Sequence, residues 1–208
     1  NLQLERNLYD PGDSINSVYA DDQYMYVGAE DYRAYVYYKN NYSLKTNLSE
    51  TAVAINSVYS DDDYVYAGQS DIWYKDGGNV LVYNKTNLSL KKKISDSEDS
   101  INSVYADEDY IYAAGSEIIN EGGHQYKAEV LFIYNKTDFS LEQNLTEAND
   151  HIYSIDVDSN YFYVSSYDSN TYIYDKKDFS LEKNISIEKR VRSVFYSRFS
   201  ECGYYSCT

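Results

Sequence analysis

Two long connections in the chain carry the side chains best suited to gripping a ligand. Gln69–Asn79 brings Trp73 and Tyr74 with Asp71, and Ser116–Ala128 brings His124 and Tyr126 with Glu117 and Glu121. Aromatic rings supply large contact area with few rotatable bonds, which suits a sugar or peptide site on loops. Trp73, Tyr74, His124 and Tyr126 therefore form the candidate ligand-binding set. The alternative is that they pack on one another and order their own loops. His124 has no Ser, Cys or second His at a catalytic spacing, and His151 reads as a loop residue. No catalytic or cofactor motif emerges, so neither an enzyme nor a cofactor is expected.

Other residue types point to surface chemistry. The acidic clusters Asp21-Asp22, Asp61-Asp62-Asp63, Asp107-Glu108-Asp109 and Asp156-Val157-Asp158 offer the oxygen ligands that calcium prefers. They lack the spacing of a calcium-binding loop and are spread along the chain, so solvated turns are expected and no metal site. Seven Asn-x-Ser/Thr triplets start at Asn41, Asn47, Asn84, Asn87, Asn135, Asn144 and Asn184. They are candidate glycosylation sites, and Asn47, Asn144 and Asn184 occupy one repeat position. The two cysteines, Cys202 and Cys207, are close in sequence. An extended segment would hold them roughly 15 Å apart, at about 3.3 Å per residue. A disulfide between them needs a tight turn at Gly203, because bridged Cα atoms lie within about 7 Å.

A net charge of −16 speaks against nucleic acid or an anionic membrane surface as partner. No apolar stretch is long enough to span a bilayer as a helix. The chain starts at Asn1 rather than Met, as expected of a processed, exported product or a fragment.

What positions these residues is a repeat. Ile15-Asn16-Ser17-Val18-Tyr19 returns at Ile55 and Ile101, and in weaker form as Ile152-Tyr153-Ser154-Ile155-Asp156 and Val191-Arg192-Ser193-Val194-Phe195. A period of roughly 40–50 residues marks repeat architectures, whose units cannot bury their apolar faces alone. Tyrosine is the commonest large side chain, 28 against 6 Phe and 1 Trp, and such composition favours pleated, half-buried surfaces. Within the second copy, Ile55–Ser60, Tyr64–Gly68, Val80–Tyr83 and Leu88–Lys91 read as four strands. The middle strands are almost continuously apolar or aromatic, as when both faces of a small sheet are covered. Four short antiparallel strands per repeat predict the blade of a β-propeller.

The Asp turns, tyrosine doublets such as Tyr64-Val65-Tyr66, and the turn before Phe139-Ser140-Leu141 resemble YVTN-type and PQQ-like repeat propellers, relatives of the WD-repeat fold. That resemblance implies architecture rather than activity. The Trp-Asp pair of WD repeats is absent, and Trp73 stands alone, so a quinone dehydrogenase is not implied.

The expected fold is a single all-β domain over 1–208, a five-bladed propeller with blades near 15–48, 55–94, 101–145 and 152–186. Its last blade is a composite of 191–208 and 1–8, because Asn1–Leu8 reads as a fourth strand and Val191–Tyr196 as a first. That blade lacks a recognisable third strand, so either it has three strands, or the chain continues past Thr208, or another chain supplies the strand. Two functions are expected of such a chain. One is an extracellular or cell-surface structural or adhesive module, glycosylated and self-associating through the incomplete blade, or binding another surface protein. The other is a lectin-like or peptide-binding module that uses Trp73, Tyr74, His124 and Tyr126.

Overall fold

The computed structural model describes residues 5–48, 51, 53–70, 78–97, 99–121 and 124–186. Expectations placed on Trp73, Tyr74, Cys202, Cys207 and the strand at Val191 lie outside the described residues. Among the described residues, sixteen strands form four antiparallel four-stranded sheets. The first contains β1 (Ile15–Ala20), β2 (Tyr24–Ala29), β3 (Ala34–Tyr38) and β4 (Leu44–Asn47), in that order. The second contains β5 (Ile55–Ser60), β6 (Tyr64–Gln69), β7 (Val80–Asn84) and β8 (Leu90–Ile94). The third contains β9 (Ser103–Ala106), β10 (Tyr110–Glu121), β11 (His124–Asn135) and β12 (Leu141–Leu145). The fourth contains β13 (Ile152–Val157), β14 (Tyr161–Ser166), β15 (Asn170–Asp175) and β16 (Leu181–Ser186). Each sheet packs on the next, with β1 against β5, β5 against β9, and β9 against β13.

The repeated pentapeptide is the joint between sheets. Its isoleucine enters the space that a glycine leaves in the preceding sheet. A Cβ on Gly28 would stand 2.8 Å from Ile55 Cγ2, and one on Gly68 would stand 2.7 Å from Ile101 Cγ2. Its asparagine reaches forward: Asn16 Nδ2 donates to the Ile55 carbonyl at 3.2 Å, and Asn56 Nδ2 to that of Ile101 at 3.3 Å. Its serine accepts from the next sheet, Ser17 Oγ from the Val58 N–H at 3.1 Å and Ser57 Oγ from that of Val104 at 3.0 Å. Its tyrosines pack with tilted rings, centroids 4.7 Å apart for Tyr19 and Tyr59, and 4.4 Å for Tyr59 and Tyr105.

A second joint lies at the turns between first and second strands. Asp61 Oδ1 accepts the N–H groups of Asp63 and Tyr64, both at 2.8 Å, which closes the turn. Its Oδ2 accepts from the buried Tyr66 hydroxyl at 2.7 Å and pairs with Lys136 Nζ of the next sheet at 2.8 Å. Asp21 does the same with Tyr26 and Lys85, and Asp107 with Tyr112 and Lys176. Burial raises the Asp21 pKa, but the N–H groups, Lys85 and the Tyr26 hydroxyl outweigh it and hold the carboxyl at about 2. The first carboxylate of each of these three acidic clusters is thus an inter-sheet clamp rather than the solvated turn its sequence suggests.

A third device recurs at the turn before each fourth strand. Tyr42, Leu88, Phe139 and Phe179 all have positive φ, between 57° and 63°. Such a backbone is unusual for large side chains. The preceding Asn or Asp stabilises the turn. The N–H two residues on donates to Asn41, Asn87, Asp138 and Asp178 at 2.9–3.0 Å. The strained geometry turns the rings of Phe139 and Phe179 edge-on to Tyr64 and Tyr110 of the preceding sheet, at 5.7 and 5.2 Å, an arrangement that aromatic quadrupoles favour.

One element departs from expectation. Ser116–Ala128 is not a loop. The third sheet's middle strands run on in unbroken register from Tyr110↔Asn135 to Glu121↔His124, making a ribbon of two 12-residue strands. In sequence only Gly122 and Gly123 separate the paired ends. The ladder pairs the backbone groups that face each other across the ribbon, while beyond β9 and β12 the outward-facing groups are left to water.

Candidate functional site

The first strands line a central cavity of about 450 Å³, bounded by Asn16, Asn56, Asn102, His151 and Tyr153. The asparagines and Tyr153 occupy the same repeat position in four successive sheets, so the cavity lies on the common axis. Ile15 pairs with Ala29, and Ser103 with Ala114, so this end of the first strands faces the connections between second and third strands. The ribbon of β10 and β11 leaves from the same face. His124 lies opposite Glu121 and Tyr126 opposite Ile119 on that ribbon. The mouth of this cavity (the channel mouth) and the ribbon thus share one face.

Beside the mouth sits a compact charged group. His151 Nδ1 is 3.1 Å from Glu129 Oε1, and Lys127 Nζ lies 2.9 Å from Asp99 and 3.6 Å from Glu129. The Glu129 side chain is 7 % exposed, and its Oε2 is buried with no hydrogen-bond partner among the described residues. Burial pushes the Glu129 carboxyl up, against the pull of His151 and Lys127. The pairing orients the imidazole by its Nδ1 edge, and Nε2 has no partner among the described residues. From sequence His151 is a plain loop residue, and nothing singles out Glu129. The one available signal is the break in the repeat, where Tyr153 replaces asparagine directly after His151-Ile152.

On the opposite face a cleft of about 490 Å³ runs between the first two sheets, lined by Asp21, Asp62, Lys85 and Thr86. Lys85 already occupies the Asp21 carboxylate at 2.9 Å, so this cleft is the outer seam of a clamp. Among the described residues, no three His, Cys, Asp or Glu side chains gather as a metal-holding group.

The seven Asn-x-Ser/Thr triplets separate into two classes. Asn41, Asn87, Asn84 and Asn135 accept the N–H two residues on, at 2.9–3.0 Å, and so serve as turn acceptors. Asp138, Asp178 and Asp175 do the same work in other sheets. Asn47, Asn144 and Asn184 lie instead on the outer strands β4, β12 and β16. Asn47 and Asn184 are exposed, whereas Asn144 is half-buried, with Nδ2 donating to Glu117 at 3.1 Å.

The two ends of the sheet array carry half-made joints. Leu48, Ile94 and Leu145 close each outer strand by inserting into the contact with the next sheet, at 3, 4 and 7 % exposure. Leu8 packs in the same way against Val27, Ala29, Tyr35 and Tyr37 of the first sheet. The Tyr42 hydroxyl donates to Glu5 at 2.9 Å, and Arg6 donates to the Asn41 carbonyl at 3.1 Å. At the far end, Ile185 holds the matching position on β16 and is 39 % exposed. Among the described residues the Asp158 carboxylate has no lysine partner and Lys39 no carboxylate partner, the two missing halves of a clamp.

No protein-family model matches this sequence, and no curated protein matches it. Among solved structures, the crystal structure of the computationally designed Ika4 protein is similar, with a TM-score of 0.68 at 11% identity. That match covers 84% of this chain and 99% of Ika4. The designed Ika8 protein gives 0.71 at 12% identity over 88% of this chain, which spans about half of Ika8, 52%. Identity so low carries fold and no activity. The described residues form an all-β protein of four antiparallel four-stranded sheets in a propeller-like arrangement.

Proposed function

We propose that the protein is a non-enzymatic, extracellular structural or adhesive module, closed as a five-bladed propeller and self-associating through its last blade. Residues 191–208 supply the inner strands of that blade and residues 1–8 its outer strand. The observation that carries this reading is the pair of half-made joints. Leu8 fills the first-sheet face as Leu48, Ile94 and Leu145 fill the later ones, while Ile185 is left exposed. No segment of 191–208 reads as a third strand, and an open blade edge is a template for pairing. A second copy completes it, and a head-to-tail contact of that kind propagates unless it closes.

The full chain is expected to form oligomers whose mass rises with concentration, as read by size exclusion with light scattering. A chain lacking residues 1–8 is expected to form none. A full-length protein that stays monomeric at high concentration would overturn the assembly.

Glycans belong to the same proposal. On a natively exported protein, sugar is expected on Asn47 and Asn184 ahead of half-buried Asn144. Mass spectrometry of native peptides that finds both exposed sites bare would remove this part.

A further inference from the structure

The cavity mouth gathers hydrogen-bonding groups from four sheets, and the carboxamide oxygens among them have no described partner. Asn16 Nδ2 donates both hydrogens, to Glu30 Oε1 at 2.9 Å and to the Ile55 carbonyl at 3.2 Å. Two acceptors on one side fix the amide orientation, so Oδ1 is the free end, with no partner among the described residues. Asn56 is held likewise by the Ile101 carbonyl at 3.3 Å, and its Oδ1 is also unpartnered there. The Asn102 side chain makes no hydrogen bond among the described residues. Tyr153, 38 % exposed, replaces the fourth asparagine with an aromatic ring, and Tyr167 stands 5.6 Å from it. The basic groups beside the mouth already have acidic partners, Lys127 with Asp99 at 2.9 Å and His151 with Glu129 at 3.1 Å. The wall therefore offers acceptor oxygens and a ring face, in a chain of net charge −16.

We propose that this mouth binds a primary ammonium group, as carried by an aliphatic amine or a lysine side chain. An ammonium brings three donors and no acceptor, which complements a ring of carboxamide oxygens. Its charge is attracted to the face of Tyr153. The cavity of about 450 Å³ is within the range of small-molecule sites. An anion would meet unshared acceptor oxygens, and a neutral polyol would bring no charge to the ring face of Tyr153.

The test is calorimetric titration of the full chain with 1,4-diaminobutane and, separately, Nα-acetyl-lysine amide, against 1,4-butanediol and glucose. One saturable site for diaminobutane is expected, persisting at about 0.15 M salt, where loose counterion binding to an acidic surface is screened. Binding of the lysine amide as well extends the site to peptides, and its failure confines the site to free amines. Tyr153→Ala and Asn102→Leu touch no inter-sheet hydrogen bond. Each is expected to weaken binding about fivefold or more with unchanged melting. No heat at about 10 mM diamine, equal heat from the diol or glucose, or unchanged affinity in both variants would overturn the proposal.

Discussion

Asp61→Ala is expected to destabilise the protein by about 3–5 kcal/mol, the range for removing one partner of a buried ion pair. Four bonds end on this carboxylate, two from turn N–H groups, one from Tyr66 and one from Lys136. The Asp61 and Lys136 side chains are 13 and 11 % exposed, so the alanine variant leaves an ammonium and a phenol short of a partner in poor solvent. Burial lowers the Lys136 pKa, but Asp61 and Asp63 outweigh it and hold the amine charged. Asp158→Ala is the internal control. It removes the same turn bonds and the Tyr163 bond at 2.8 Å, with no described lysine to strand. Its loss is expected to be nearer 1–2 kcal/mol, about that of a lost cap. Denaturant midpoints of the two variants decide the matter, and equal losses would show that the lysine contributes nothing.

The second large effect concerns the isoleucine and glycine of neighbouring sheets. Ile101 is 1 % exposed. Its truncation to alanine is expected to cost about 2–5 kcal/mol in lost burial and residual cavity. Gly68→Ala should cost about 1–3 kcal/mol by overpacking. The new Cβ would meet Ile101 Cγ2 at 2.7 Å and the Ile101 carbonyl at 3.3 Å. The double variant is the informative one. Removing Cγ2 clears the space that the new methyl needs, so the combined loss should fall short of the sum. Strict additivity in thermal or denaturant unfolding would mean that the two side chains do not compete for that volume.

Repetition makes the joints legible. A pentapeptide that recurs with Ile, Asn, Ser, Val and Tyr in fixed order must use each residue for something common to all sheets. In the structure its Ile, Asn, Ser and Tyr each meet a neighbouring sheet. The partners themselves are not legible. Asp21 meets Lys85, and Asn16 meets the Ile55 carbonyl, across separations that no local window spans. For the same reason the acidic clusters read as solvated turns, since half of each clamp sits in the following repeat. The ribbon at Ser116–Ala128 escapes a sequence reading because Ile118-Ile119-Asn120-Glu121 lacks a clean period of two, the main strand signal available to sequence. His124 and Tyr126 fall on the expected face nonetheless, because the ribbon departs from it. Glu129 and His151 carry no signal in their spacing. They meet only because the third and fourth sheets are neighbours.

The clamps and plugs also sort the chain into fixed and adjustable parts. The separation from Lys39, Lys85 and Lys136 to Leu48, Ile94 and Leu145 is the same in every repeat. So is the separation from those plugs to Ile55, Ile101 and Ile152. The larger variation in repeat length falls between the tyrosine opening the second strand and the lysine after the third. Tyr24–Lys39 and Tyr161–Lys176 are equally short, Tyr64–Lys85 is longer, and Tyr110–Lys136 is longest. The frame can therefore evolve, or be engineered, as a chassis whose one face accepts insertions while its joints keep their spacing. The tight connection around Ser169, itself at φ 71°, is the natural place to graft a further binding loop beside the channel mouth.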